Sequence, residues 1–68
     1  MSKHVYIYIK DTLYGILHCD MFKEKKIGGM TMLDLYKLEY DSQYEISYRM
    51  FIGNIYCDRY EVKEVENG

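Results

Sequence analysis

Nine of the 68 residues are tyrosine, and the chain contains no proline, no tryptophan and no alanine. A tyrosine side chain joins a large apolar ring to a polar hydroxyl, so it suits the margin of a core or an interface with a partner. A domain of this size buries only about 60% of the surface that its unfolded chain exposes. We therefore expect several of the rings to lie at the surface of the folded protein.

The length of the chain predicts one small domain that comprises residues 1–68. Hydrophobic residues make up 49% of it, which favours a folded chain over a disordered one. The longest uncharged stretches, residues 12–19 and 50–57, are far shorter than the roughly 20 residues that cross a bilayer. With no secretory signal visible, we expect a cytoplasmic protein in which residues 64–68 form a frayed acidic tail.

Alternating apolar residues predict a hairpin at each end of the chain. The first consists of residues 4–10 and 13–19, and the second of residues 44–52 and 55–62. Gly53-Asn54 lies between two apolar runs and predicts the turn of the second hairpin. The lysine-rich stretch before the middle of the chain, residues 20–29, predicts an exposed loop.

Residues 31–41 allow two interpretations. Thr31 and Asp34 suit the first turn of a helix, and Leu33, Tyr36 and Tyr40 would share one helical face. An extended strand is the competing interpretation, but Asp34 would interrupt its apolar face. The pattern favours the helix.

The predicted order is therefore strand, strand, helix, strand, strand. We expect an α+β fold in which one helix packs on a face of a small antiparallel sheet. If residues 30–40 are extended, the alternative is a small five-stranded β-barrel. We find no internal repeat, because the similar strand patterns at residues 6–10 and 45–49 have flanks that do not match.

Catalytic, metal and cofactor sites are not expected. The metal-binding candidates Cys19 and Cys57 adjoin His18 and Asp58, with His4 as a further ligand, but neighbours on a strand point to opposite faces. Two cysteines without an export signal predict reduced, buried thiols. A chain of this length also leaves little room for a concave pocket, so we expect a protein that is not an enzyme.

The net charge of −2 is unevenly distributed. Residues 1–26 hold five lysines and three acids, whereas residues 27–68 hold four basic groups and eight acids. Lys23, Lys25 and Lys26 are candidate nucleic-acid contacts, to be combined with base stacking on tyrosines. The acidic balance of the whole chain makes nucleic acid a less favoured partner.

Binding to another protein is the function that the composition favours, because tyrosine is enriched at interface hot spots. The candidate contacts are rings that a small core cannot absorb: Tyr6, Tyr8, Tyr36, Tyr40, Phe51 and Tyr56. The acids expected to face a basic target are Glu39, Asp41, Glu45, Asp58, Glu61 and Glu64.

We accordingly expect a non-catalytic module that binds another protein and inhibits or redirects it. The residue usage resembles that of AT-rich genes, which suggests an effector encoded by a phage or virus and directed at a host factor. The alternatives are a small single-stranded nucleic-acid-binding protein and a structural homo-oligomer, of which a homodimer is the simplest form.

Overall fold

The structure is a computed structural model that describes residues 2–65. These residues form two three-stranded antiparallel sheets. The strands are β1 (Ser2–Ile9), β2 (Thr12–Cys19), β3 (Met21–Ile27), β4 (Met30–Asp41), β5 (Ile46–Cys57) and β6 (Arg59–Val65). Sheet A has the strand order β2-β1-β6, and sheet B has the order β3-β4-β5. Residues 2–65 include no helix that is long and apolar enough to cross a membrane.

The predicted helix over residues 31–41 is wrong, and with it the α+β class. These residues belong to β4, the central strand of sheet B, which pairs with β3 on one side and β5 on the other. Leu33 and Leu35 then face the core together, 0% and 6% exposed. Asp34 is tolerated in the strand because Lys25 lies 3.0 Å from its carboxylate. Two flanking hydrogen-bond ladders override a weak local preference for helix.

The all-β alternative is closer to the observed fold, although residues 2–65 form six strands rather than five. The predicted loop at residues 20–29 contains the whole of β3, and only Gly28 and Gly29 form its turn, with φ values of 56° and 81°. Gly53-Asn54 is not a turn either, because it lies within β5. Of the predicted tail, Glu64 and Val65 pair with β1, and residues 66–68 lie outside the described residues.

The core lies between the two central strands. Val5 and Ile7 of β1 are fully buried, as is Leu33 of β4. The flanking strands β2 and β5 contribute the small buried side chains of Cys19 and Cys57, which are the last residues of these strands. The complete cluster is Val5, Ile7, Cys19, Leu33, Leu35 and Cys57.

Asp20 forms the corner at which the chain passes from β2 in sheet A to β3 in sheet B. Its backbone N–H donates to the carbonyl of Tyr36 at 2.9 Å. Its carboxylate Oδ2 accepts a hydrogen bond from the backbone N–H of Leu38 at 2.7 Å. The corner is thus attached to β4 of the opposite sheet by both its backbone and its side chain, which is how strands switch between packed sheets.

Asp58 forms the second corner, between β5 in sheet B and β6 in sheet A. Its N–H donates to the carbonyl of Tyr8 at 3.0 Å, and its Oδ2 accepts from the N–H of Lys10. This corner therefore attaches to β1 in the same manner as the first corner attaches to β4.

The equivalence of the two corners shows an internal repeat that inspection of the sequence missed. Residues 2–27 (repeat 1) and 30–65 (repeat 2) have the same order of strands, and a pseudo-two-fold relation exchanges the sheets. The residues GILHCDMF at 15–22 correspond to GNIYCDRY at 53–60. Both glycines lie beside a register shift, which falls after Ile7 in one repeat and after Leu35 in the other.

The two repeats differ in the length of one hairpin. Val5 corresponds to Leu33, 28 residues later, but Cys19 corresponds to Cys57, 38 residues later. Repeat 2 therefore holds ten extra residues, all in the hairpin of β4 and β5, whose strands have twelve residues each where β1 and β2 have eight. They interrupt the sequence similarity, which explains why the repeat is not apparent from pattern alone.

The extra residues extend the β4–β5 hairpin into an arm, residues 37–52. Strand β3 pairs with β4 only as far as Tyr36, so the arm is two-stranded. Asp41 closes its tip by accepting hydrogen bonds from the N–H groups of Gln43 at 2.9 Å and Tyr44 at 3.4 Å. The Cα radius of gyration is 13.7 Å, against about 11 Å for a compact chain of this length.

Removal of a corner carboxylate should destabilise the fold. We expect Asp20→Ala and Asp58→Ala each to lower the free energy of unfolding by about 1 kcal/mol, because Leu38 N–H and Lys10 N–H lose an acceptor. This corresponds to a fall in Tm of about 5 °C by thermal denaturation. The Asp→Asn variants retain a side-chain oxygen and should lose less; equal losses for Asn and Ala would contradict this role.

Repeat 1 predicts that the arm is dispensable for folding. Lys37 and Met50 are cross-strand partners, as are Ile9 and Thr12, which flank the two-residue turn of repeat 1. Replacement of residues 38–49 by Asn-Gly should therefore give a folded protein with a type I′ turn. The expected circular dichroism is that of a β protein with cooperative melting, and a chain that no longer melts cooperatively would show that the arm belongs to the folding unit.

Candidate protein-interaction surface

None of the nine tyrosines is buried. Tyr6, Tyr8, Tyr36 and Tyr60 are half-buried, and the others are exposed. The most exposed are Tyr14, Tyr44 and Tyr40, at 69%, 67% and 62%. The rings therefore lie around the core rather than inside it.

Four of the six candidate contact rings lie on one surface. Tyr36 and Tyr40 project from the same side of β4, with Leu38 between them, because alternate residues of a strand share a face. On β5, Phe51 is the cross-strand partner of Tyr36, and Tyr56 is the partner of Met32 on that same side. We call this surface the outer face of sheet B; it comprises Tyr36, Leu38, Tyr40, Arg49, Phe51 and Tyr56.

The centre of the outer face is an ordered aromatic cluster. The rings of Tyr36 and Phe51 meet edge to face, with centroids 5.7 Å apart. Arg49 Cζ lies 5.3 Å from the centroid of Tyr36, and Lys23 Nζ lies 5.9 Å from it. Aromatic and cation–π contacts of this kind hold side chains in defined positions before any partner arrives.

Tyr6 and Tyr8 lie on the other sheet and are not brought together with this cluster. Lys63 Nζ is 4.6 Å from the ring of Tyr6, and Arg59 Cζ is 3.9 Å from the ring of Tyr8. The hydroxyl of Tyr8 donates to Glu61 at 3.4 Å. Both rings are thus partly covered by side chains of β6, which makes them weaker candidates for an interface.

The three candidate lysines lie on β3, and two of them have acidic partners. Lys25 pairs with the buried Asp34, whose hydrogen bond and charge raise the pKa of Lys25 above its usual range. Lys26 lies 3.5 Å from Glu24 and donates to Thr31 at 2.6 Å. Lys23, beside Tyr36, is the lysine that the structure adds to the aromatic cluster.

The residues considered as metal ligands are dispersed. The ring of His18 lies against that of His4 on the outer side of sheet A, with centroids 4.1 Å apart and planes tilted by 59°, whereas Cys19 points into the core. Within residues 2–65 no group of three or more His, Cys, Asp or Glu side chains is placed to hold a metal ion. Cys19 and Cys57 are free thiols, and burial raises the pKa of both.

A shallow depression of about 250 Å³ lies at the base of the arm. Its volume is below the roughly 300–1,000 Å³ of typical small-molecule sites. The depression is an open concave junction between the arm and sheet A, and it does not enclose a ligand as a pocket would. Its lining residues are Ser2, His18, Cys19, Asp20, Lys37 and Ile52.

Sequence reasoning missed two members of the outer face, Leu38 and Arg49. Leu38 is 53% exposed and lies between Tyr36 and Tyr40. The strand interpretation of residues 31–41 would have placed all three on one side. Arg49 could have been found only from the register of β4 with β5, which pairs it with Leu38.

The thiols should be unreactive in the folded protein. A buried thiol with a raised pKa is mostly protonated at pH 7–8, and the thiolate is the reactive form. We expect a chromogenic disulfide reagent to label Cys19 and Cys57 at least tenfold more slowly than free cysteine, and both to react rapidly once guanidinium unfolds the chain. Fast labelling of either thiol in the native state would show that the core opens readily.

Comparisons of the chain with protein-family models, with curated proteins and with solved structures find no match in any of the three. The functional interpretation therefore rests on the surface itself.

Proposed function

We propose that this chain is a non-catalytic, cytoplasmic protein-binding module whose contact surface is the outer face of sheet B. The observation that carries the proposal is that four aromatic rings and Leu38 share one side of sheet B. The rings are those of Tyr36, Tyr40, Phe51 and Tyr56. Exposed apolar groups that form a continuous patch mark interaction sites more often than scattered ones do. The two free thiols suit a reducing compartment.

The order of the aromatic cluster supports the proposal. Tyr36 and Phe51 are held against one another and against Arg49, so little side-chain freedom remains to be lost on binding. Tyr40 and Tyr56 flank this centre and are 62% and 46% exposed. Fixed anchors at the centre and exposed rings around them are the arrangement in which tyrosines act as hot spots.

The charges beside the rings indicate a partner with acidic groups around an apolar centre. Lys23 and Arg49 border Tyr36 on the outer face. The acids expected to meet a basic target lie elsewhere: Glu39 and Asp41 are on the opposite side of β4, and Asp58 forms a corner. Composition predicted that acids of this chain face a basic partner, whereas the outer face presents cations to an acidic one. In either case the opposite charges raise the association rate.

The internal repeat supplies a second argument. Repeat 1 completes its part of the core with a hairpin that ends at Lys10-Asp11. The arm of repeat 2 adds no residue to the core cluster, yet it carries Leu38, Tyr40 and Phe51. Since the core cluster includes none of these exposed apolar groups, a binding role accounts for them. Binding without catalysis fits an effector that inhibits or redirects its target. We propose that this effector is a phage or viral product that acts on a host protein.

Single-stranded nucleic acid is the second candidate, because Lys23 lies beside Tyr36 on a sheet face. Bases stack on exposed ring faces and phosphates pair with nearby cations. However, Arg49 and Lys23 already cover the ring of Tyr36, and Lys25 is neutralised by Asp34. A protein partner is therefore favoured.

The test compares two double variants in affinity capture from nuclease-treated host lysate, followed by interferometry with the captured partner. Tyr40→Ser/Tyr56→Ser removes two rings from the outer face, and we expect the affinity to fall at least tenfold, as for hot-spot residues. The control, Tyr14→Ser/Tyr44→Ser, removes two rings elsewhere that are more exposed, at 69% and 67%, and should change the affinity less than about twofold.

Two further measurements complete the test: the salt dependence of the association rate and the binding of a single-stranded oligonucleotide. Association with an acidic partner should slow as NaCl rises from about 0.1 to 0.5 M, because screening shortens the reach of Lys23 and Arg49. Equal losses in the two double variants would refute the outer face as the contact surface. Saturable binding of a labelled oligothymidylate that Lys23→Ala abolishes would replace the protein partner with nucleic acid.

A further inference from the structure

The fold places the two histidines of the chain against one another. His4 and His18 are cross-strand partners on β1 and β2. Their ring centroids are 4.1 Å apart, and the ring planes are tilted by 59°. His4 is half-buried and His18 is exposed, so both rings are accessible from solvent. Neutral imidazole is the commonest metal ligand in proteins, and two imidazoles this close form a potential chelate.

The register of β1 with β2 determines which ligands share a face. Adjacent residues of a strand point to opposite sides, so Cys19 lies in the core while His18 lies outside. Cross-strand partners point to the same side, with Cβ atoms about 4.5–5.5 Å apart. Of the residues considered as metal ligands from the sequence, the structure therefore brings together only the two imidazoles, and the described residues add no third ligand of this kind.

The separation of the two rings fits adjacent positions around one ion. A histidine nitrogen binds a first-row metal at about 2.0–2.1 Å, and the ring centre lies about 1.2 Å behind that nitrogen. Two imidazoles at about 90° around one ion would thus have centroids about 4.5 Å apart. The observed 4.1 Å differs from this value by a few tenths of an ångström, so the strands need not separate to admit the ion.

The surroundings leave room for an ion and its water ligands. His18 lines the open depression at the base of the arm. Lys37 and Asp20 line it too, and their charges offset one another. Lys63 is the cation across from the pair on β6, and its Nζ lies 4.6 Å from the ring centroid of Tyr6, farther along the same face. The pair is therefore open on its solvent side.

The internal repeat shows that this position of the fold does not call for imidazoles. The residues of repeat 2 that correspond to His4 and His18 are Met32 and Tyr56, which are likewise cross-strand partners. A thioether and a phenol thus occupy the place that two histidines occupy in repeat 1. The histidine pair is a property of repeat 1 that the shared architecture does not explain.

We propose that His4 and His18 together chelate one divalent transition-metal ion, with water in the remaining coordination positions. Two nitrogens at right angles with oxygen ligands elsewhere suit the tetragonal geometry of Cu²⁺, which also leads the affinity order of the first-row divalent ions. Mg²⁺ and Ca²⁺ prefer oxygen ligands and are not expected to compete. The site lies on sheet A and does not depend on the protein-binding role proposed for sheet B.

Titration calorimetry of the full chain with Cu²⁺ tests the site. We expect one ion per chain with a dissociation constant below about 100 µM, and weaker binding of Ni²⁺ and Zn²⁺. The first imidazole to bind holds the ion at a high effective concentration beside the second, so loss of either histidine should weaken binding at least about tenfold. Electron paramagnetic resonance of the loaded chain should show imidazole nitrogens bound to Cu²⁺.

Repeat 2 supplies the matched variants. His4→Met and His18→Tyr introduce the residues that repeat 2 carries at these positions, so both variants and their combination should melt cooperatively by circular dichroism. In a chelate, each single variant should lose nearly as much affinity as the double variant. Cys19→Ala removes the thiol beside His18 and should bind Cu²⁺ like the unaltered chain, because Cys19 faces the core.

Unchanged affinity in either single histidine variant overturns the inference, as does the independent binding of two ions per chain. Loss of binding in Cys19→Ala would transfer the site to the thiol and overturn it as well. Binding that does not saturate below about 1 mM would indicate an adventitious ion only. None of these results bears on protein capture by the outer face of sheet B, which is tested with other variants, so the two proposals fail separately.

Discussion

Two aspartates form the corners at which the chain passes between the sheets. Asp20 and Asp58 each turn a strand out of one sheet and into the other, and each binds the central strand of the sheet it faces. Without these corners the chain would be two hairpins that cannot bury their apolar faces alone. The corners bring Val5 and Ile7 against Leu33, which closes a core from very few side chains.

A core of this size has consequences for the rest of the surface. The two repeats meet their own need for burial with small and branched residues, so no tyrosine enters the interior. The rings remain outside, where β6 and β5 supply cations that cover some of them. The extra residues of repeat 2 then add apolar groups that the core has no room to accept. An arm that is apolar on both sides favours association as its role.

Much of the strand content was predictable from alternation. The predicted hairpin of residues 4–10 and 13–19 coincides with β1 and β2. The predicted hairpin of residues 44–52 and 55–62 is wrong, because residues 46–57 form the single strand β5, which pairs with β4, and β6 pairs with β1. The exposure of the tyrosines follows from the small interior. Residues 31–41 were predicted incorrectly because Thr31, Leu33 and Asp34 satisfy local rules for a helix start. Those rules are worth about 1 kcal/mol, less than the two ladders that β4 gains as a central strand. Lysine content made β3 resemble a loop, although charged edge strands are common.

The candidate site was only partly predictable for the same reason. Composition identified the class of residue, and four of the six predicted rings share a face. Which rings share it depends on the register of β4 with β5, because a shift of one residue would move each side chain to the other side. Tyr6 and Tyr8 were predicted as contacts as well, yet β6 brings Lys63 and Arg59 over them.

The sequence by itself determined that the chain is rich in strands, with more aromatic surface than it can bury. These properties follow from composition and from the period of two, both of which are local. The tertiary structure alone decided that residues 31–41 are a central strand, that the chain is a repeat with one lengthened hairpin, and which rings meet. Those outcomes depend on pairing between residues far apart in the chain, which the energy of the whole sheet selects and no local pattern encodes.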